Sequence, residues 1–245
     1  MKIHQLLRDN AGRAKRPTNA VRNGPEASLF IYDVIDPYWG VSALAVVEAV
    51  AMAGDAEVLH VHINSPGGDV FEGRAIMAAL QRFPGKTVAH IDSLCASAAT
   101  SIALACTEVE MSDGAFFMIH CASGYCYGDK EDMLERAALL EKVEGAIVAD
   151  YTKKTGKDAA EIMALMEAET WFTAQEAIDA GFVDRMAPGK PEASNTWNLA
   201  AFDKAPKALA APPGPAAENT TTKPAPAGFF MGAANANRLR LASIV

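Results

Sequence analysis

The sequence predicts an α/β fold: a mostly parallel sheet covered by helices. Two observations predict it. Short apolar or alternating runs recur along residues 28–187, and longer runs with helical spacing lie between them. Gly and Pro punctuate the junctions, as at Ser65-Pro66-Gly67-Gly68 and Pro84-Gly85. A sheet of this kind presents its ligand site at the C-terminal ends of its strands. Half of the 245 residues are hydrophobic, enough for a sizeable core. That excludes a wholly disordered, collagen-like or coiled-coil chain.

The elements follow in order. Residues 28–35 are a short strand. Residues 40–54 read as a helix that is apolar all round. Residues 57–64 alternate, with Val58, Leu59, Val61 and Ile63 as core candidates and His60 and His62 on the polar face. A turn through Gly67-Gly68 leads to a helix over 70–83. A strand over 86–92 leads to a helix over 97–107. Short strands follow at 108–112 and 115–120. A long amphipathic helix runs over 129–156, with Gly156 as its stop. Two further helices cover 158–169 and 173–181, the last closed by Gly181.

Composition divides the chain in three. Residues 1–27 form a polar, basic arm with Arg8, Arg13, Lys15, Arg16 and Arg22, expected to be mobile unless assembly orders it. Residues 28–187 form the compact domain. Residues 188–245 are Pro/Ala-rich and read as a disordered tail, apolar again near its end.

Charge excludes further classes. The formal net charge of −8 argues against binding along a nucleic-acid backbone. The most apolar stretch, 41–53, contains Glu48 and is too short to span a bilayer. The first residues lack the apolar centre of a signal peptide, so a cytoplasmic setting is expected. Cys95, Cys106, Cys121 and Cys126 make neither a disulfide framework nor a zinc spacing, and neither metal nor cofactor is expected.

Three strand ends carry the chemistry. At the first, a strand runs through Asn64-Ser65-Pro66-Gly67-Gly68 into a helix. Paired glycines free the backbone to expose N–H groups beside a helix start; a plain tight turn is the alternative. At the second, Ser97 begins a helix among Ala96, Ala98 and Ala99. It reads as an N-cap or as a nucleophile, with the Ala98 N–H able to face an oxyanion. At the third, His120 follows the apolar strand Phe116-Phe117-Met118-Ile119 and opens a small polar loop, where a sheet can present a base to a serine.

In this order the motifs resemble the proteolytic subunit of the Clp protease, ClpP. They are Asn64 to Gly68, Ala96-Ser97-Ala98, Met118-Ile119-His120, and the span from Trp171-Phe172-Thr173-Ala174 through Gly181-Phe182-Val183-Asp184. The resemblance covers about 28–187. It implies the ClpP/crotonase-like fold of repeated β-β-α units with a long helical handle. It implies a serine endopeptidase in which Ser97 is nucleophile, His120 is base, and the Gly68 and Ala98 N–H groups form the oxyanion hole. Substrate would lie extended beside Gly67 and Gly68. Glu169 stands where the family has its triad aspartate. Either it completes a Ser-His-Glu triad or it faces water and leaves a Ser-His dyad; Asp113 and Glu167 are less suited.

The resemblance also implies polypeptide substrates, a homo-oligomeric ring and an ATPase unfoldase as a candidate partner. Residues 123–129 hold fewer glycines than the family's ring-joining strand, so stacking of two rings is not implied. Asp36-Pro37-Tyr38-Trp39-Gly40, Glu169-Thr170-Trp171-Phe172-Thr173-Ala174 and the tail are most similar to phage and prophage head maturation proteases. These would cut capsid or scaffold precursors in a bacterial host cytoplasm, inside an assembling prohead. A bacterial ClpP-like subunit, a crotonase-type acyl-CoA enzyme, a lysine-dependent signal-peptide-peptidase-like protease and a degenerate phage assembly protein are the rival readings.

Overall fold

The structure is a computed structural model that describes residues 3–13, 18–188 and 197–206. The elements are α1 (Ile3–Asp9), β1 (Val21–Asn23), β2 (Glu26–Ile31), α2 (Ala43–Ala53), β3 (Val58–Ser65), α3 (Val70–Gln81), β4 (Lys86–Ala96), α4 (Ala98–Leu104), β5 (Glu108–Met111), β6 (Phe116–Ile119), α5 (Lys130–Thr155), α6 (Ala159–Glu167), β7 (Thr170–Thr173), α7 (Ala174–Asp179) and β8 (Arg185–Met186). The sheet runs β1-β2-β3-β4-β5-β8, and β6 pairs with β4 and with β7. All pairings are parallel except β1 with β2 and β6 with β7.

The predicted helices form where their caps sit. Asp69 accepts the N–H groups of Phe71 and Glu72 and starts α3. Asp129 and Asp132 make a reciprocal capping box at the start of α5, and Gly156 ends it with φ +73°. Alternation on β3 buries Leu59, Val61, Ile63 and Ser65 and leaves His60 and His62 half-buried on the opposite face; Val58, expected in the core, is half-buried on that face too, because adjacent residues such as Val58 and Leu59 point to opposite sides. There the histidines join a polar network. His60 Nδ1 lies 2.8 Å from His90 Nε2, His90 Nδ1 lies 2.6 Å from Glu110, and His62 Nδ1 lies 3.0 Å from Asp92.

β4 is the element that builds the site. It runs to Ala96, past the strand end expected at residue 92, and it changes partners along its length. Val88–Ile91 pair with β5, and Leu94–Ala96 pair with β6. The register Ala96↔Met118 brings the ends of two parallel strands side by side.

Both expected flanks differ in part from the structure. Within the predicted arm, α1 is ordered and Leu6 is fully buried. Within the predicted tail, residues 197–206 form a strap whose Trp197, Leu199 and Phe202 are buried with Leu6, Val34, Leu94, Ala96 and Met118 in a second core. The reason is the uncovered side of β4 and β6: Leu94, Ala96 and Met118 face away from the main core and need an apolar cover. Asn10 ties the two flanks. Its Nδ2 donates to Leu6 O and Asn198 O (2.9 Å each), and its Oδ1 accepts from Asn198 N (2.8 Å). The rest of the tail, and residues 14–17 of the arm, lie outside the described residues.

Candidate active site

Ser97 sits between β4 and α4 with φ +54° and ψ −128°, a backbone state that costs a non-glycine residue about 1–3 kcal/mol. It occupies the cap position of α4 but makes no side-chain cap bond. Its Oγ instead lies 2.8 Å from His120 Nε2. The turn is held from below. Ser97 N donates to Met118 O (2.9 Å), and Thr100 Oγ1 donates to Ser97 O (2.6 Å). Thr100 Oγ1 also lies 2.6 Å from the fully buried Tyr151 hydroxyl. The Thr100 proton goes to Ser97, so Tyr151 is the donor of that pair. Burial pushes the Tyr151 phenol pKa well up and keeps it protonated for that role.

The glycine turn packs onto Ser97. Gly67 has φ +85°, and a Cβ there would lie 2.5 Å from Ala96 O, 2.7 Å from Ser97 Cβ and 2.9 Å from Ala98 N. Only glycine lets the two turns touch. Gly67 N donates to Ser65 Oγ (3.2 Å), and Gly67 O accepts from Ile35 N (2.9 Å). Asp69 N donates to Ile35 O (2.8 Å), so Ile35 occupies this edge. Gly67 is therefore a spacer between the two turns, with its N–H and C=O both bonded within the protein. Strand alternation aims the Gly68 N–H and C=O to the opposite side.

His120 follows β6, and its imidazole pKa is pushed down to about 4, chiefly by burial, while the charge of Asp203 acts in the opposite direction. The ring is therefore neutral at pH 7. With Nε2 accepting from Ser97, the ring proton belongs on Nδ1. A cavity of about 550 Å³ opens beside the pair, lined by Ser97, Ala98, His120, Leu140, Val143 and Ile147 among others.

Glu169 is not directed at His120. Its Oε1 accepts from Lys204 N (2.7 Å) and Trp171 Nε1 (3.2 Å), and its Oε2 accepts from Asp203 N (3.1 Å). It lies just past the end of α6 with φ +47°, a left-handed position that turns the chain into β7. Its carboxylate anchors the strap, an arrangement that differs from both expected readings, the triad partner and the carboxylate facing water. The strap residues were missed from sequence. The signal available was the run Trp197-Asn198-Leu199-Ala200-Ala201-Phe202, apolar and aromatic inside a Pro/Ala-rich region.

The family model described as Clp protease matches residues 25–190. The chain belongs to the Clp protease family. It is 30% identical over 130 residues to the ATP-dependent Clp protease proteolytic subunit 1 of Leifsonia xyli subsp. xyli, a match covering 52% of this chain and 66% of that one, just under two thirds of its length. It is 26% identical over 172 residues to the subunit of the same name in Protochlamydia amoebophila, covering 69% of this chain and 84% of the relative. Among solved structures it resembles a single-site mutant of ClpP1 from Listeria monocytogenes with a TM-score of 0.58 and 21% identity, covering 66% of this chain and 91% of that one. The Clp protease fold expected from the motifs is thus the fold observed. Among the described residues no helix is long and apolar enough to cross a membrane, and no cluster of His, Cys, Asp or Glu could hold a metal ion.

Proposed function

We propose that this Clp family member is a serine endopeptidase. The observation that carries the reading is the 2.8 Å contact between Ser97 Oγ, on a strained turn, and the neutral imidazole of His120. Ser97 Oγ attacks the scissile carbonyl while His120 Nε2 takes its proton. The N–H groups of Gly68 and Ala98 hold the oxyanion. His120 then gives the proton to the leaving amine, which departs as the acyl-enzyme forms. Water, deprotonated by the same imidazole, releases the acid and returns the proton to Ser97. Polypeptide is the substrate class, lying in the cavity beside Gly68.

The setting we propose is cleavage of capsid or scaffold precursors by a phage head maturation protease in the bacterial host cytoplasm, within an assembling shell. The likeness of residues 36–40 and 169–174 to such enzymes supports it. The part of the tail that follows the strap would then be a self-cleaved or tethering segment. The names of the relatives support a second setting, a proteolytic subunit served by an ATPase unfoldase. In either setting we infer a homo-oligomeric ring. Leu44, Val47 and Met52 on α2 and Met133 and Leu134 on α5 are exposed apolar residues that a second copy would cover.

Fluorophosphonate labelling read by intact mass tests the chemistry. One adduct on the wild type, absent from Ser97→Ala and His120→Ala, supports the serine peptidase. A folded wild type that takes no adduct overturns it. The same spectra show whether the wild type loses tail mass that Ser97→Ala retains.

A further inference from the structure

Glu169, the carboxylate at the family motif's position, is committed to the strap, and among the described residues no carboxylate hydrogen bond to His120 is seen. Residues 197–206 reach the imidazole without lining the cavity. The Phe202 ring meets the His120 ring edge to face at 5.7 Å and the Trp171 ring at 5.6 Å. The two residues after Phe202 are the ones whose amides Glu169 holds, at 3.1 and 2.7 Å. Lys204 Nζ donates to Ala168 O at 2.6 Å, so its charge is also drawn to the end of α6. At the far end, Trp197 Nε1 donates to Asn64 Oδ1 at 2.7 Å, on the strand that leads into the glycine turn. The strap thus runs from the glycine motif to the histidine, and none of its residues lines the cavity. Its position is that of a support and not of a plug.

We propose that the 197–206 strap is the positioning element of the site: Phe202 fixes the His120 ring, and Asp203 is the carboxylate that faces the imidazolium formed during acyl transfer. Besides Glu169, Asp203 and Lys204 on the strap side, the charge of the chain's N-terminus acts on the ring and lowers its pKa, and His4, Asp36, Asp69, Arg74 and Arg136 line the cavity that His120 opens on. Glu169 is bonded to two strap amides and the Trp171 indole, and Lys204 to a carbonyl. Asp203 follows Phe202, whose ring meets the His120 ring, and its amide is held by Glu169; its negative charge favours the protonated imidazole, against burial and the N-terminal charge. Phe202 acts the other way, since its ring keeps water from the imidazole and favours the neutral form. The two residues together hold a base that is neutral at rest and stabilised once charged.

This inference rests on the serine peptidase reading for its purpose, but its test separates the two. Full-length protein carrying ¹⁵N-histidine is titrated by NMR, with His120 assigned from His120→Ala, and the rate of fluorophosphonate labelling is measured alongside. Asp203→Asn, an isosteric change at an exposed residue, should lower the His120 pKa by about half a unit or more and slow labelling about tenfold. Phe202→Ala should raise the His120 pKa towards its ordinary value, and Phe202→Leu should restore most of the difference. Opposite shifts from adjacent residues are something a general loss of stability would not produce. Unchanged His120 titration in Asp203→Asn and Phe202→Ala overturns the strap proposal even if the wild type labels. The expected shifts in a wild type that does not label uphold the strap and overturn the peptidase.

Discussion

Replacing Gly67 by alanine tests the packing that presents Ser97. The added Cβ would stand 2.5 Å from Ala96 O and 2.9 Å from Ala98 N, both backbone atoms that cannot swing away, and 2.7 Å from Ser97 Cβ. Overpacking of this kind costs about 1–3 kcal/mol. The φ of +85° adds about 1–2 kcal/mol for any side chain. The expected loss is therefore about 2–5 kcal/mol. Gly114 supplies the control. Its φ is +79°, but a Cβ there meets nothing within 4 Å, so Gly114→Ala carries the backbone cost of about 1–2 kcal/mol alone. Urea denaturation of both variants reads the difference, and fluorophosphonate labelling reads its effect on Ser97. Gly67→Ala should be the less stable by about 1–3 kcal/mol and should label up to about a hundredfold more slowly, since displacement of a nucleophile by about 1 Å has that scale of effect. Equal stability and equal labelling in the two variants would refute the claim that the glycine turn rests on the serine turn.

The remaining predictions concern protons and anchors. The folded His120 pKa of about 4 lies below its unfolded value, so the unfolded chain binds the extra proton between pH 6.5 and 4 and stability is lost as pH falls through that window; at pH 5 the loss is about 2 kcal/mol. Comparing urea midpoints at pH 7.5 and 5 should show this slope in the wild type and a smaller one in His120→Gln, and the acid limb of the labelling rate should fall near pH 4 and not near 6.5. Glu169→Gln should slow labelling by less than about a hundredfold; a loss near the 10⁴-fold of a direct triad partner would instead restore the Ser-His-Glu reading. Tyr151→Phe removes the buried donor behind Thr100 and should cost about 1–2 kcal/mol in thermal or urea unfolding, without abolishing the adduct. Trp197→Ala empties a site where the indole is 1% exposed and should cost about 3–5 kcal/mol, with proteolytic nicking of the strap as a second readout.

Local signals made the sheet and helices legible. Alternation on β3, the capping aspartates and the stop at Gly156 act over a few residues, so a single sequence carries them. The residue types at Ser97, His120 and Gly68 were legible for the same reason: each closes or follows a strand whose apolar pattern is plain. The partner exchange along β4, which brings Ser97 to His120, was not, because register between distant strands leaves no local mark. Glu169 was misplaced because its spacing from the Trp171-Phe172-Thr173-Ala174 motif is preserved while its side chain turns to amides 34 and 35 residues further on. The strap was hidden by averaging: Trp197 to Phe202 is a short apolar run in a long Pro- and Ala-rich region, and composition reports the region.

The clasp between Asn10 and Asn198 separates two boundaries that usually coincide. The span that defines kinship is 25–190, yet the unit that must fold together reaches from Leu6 to Phe202. A polypeptide trimmed to the kinship span would expose Val34, Leu94, Ala96 and Met118 as one sticky surface around the base of the site. It would be prone to self-association while keeping every motif by which it is recognised. The order of synthesis has the same consequence. A ribosome that has delivered Ser97 and His120 has still to deliver the segment that closes the second core, so the pair exists for a time without the cover that makes its imidazole neutral.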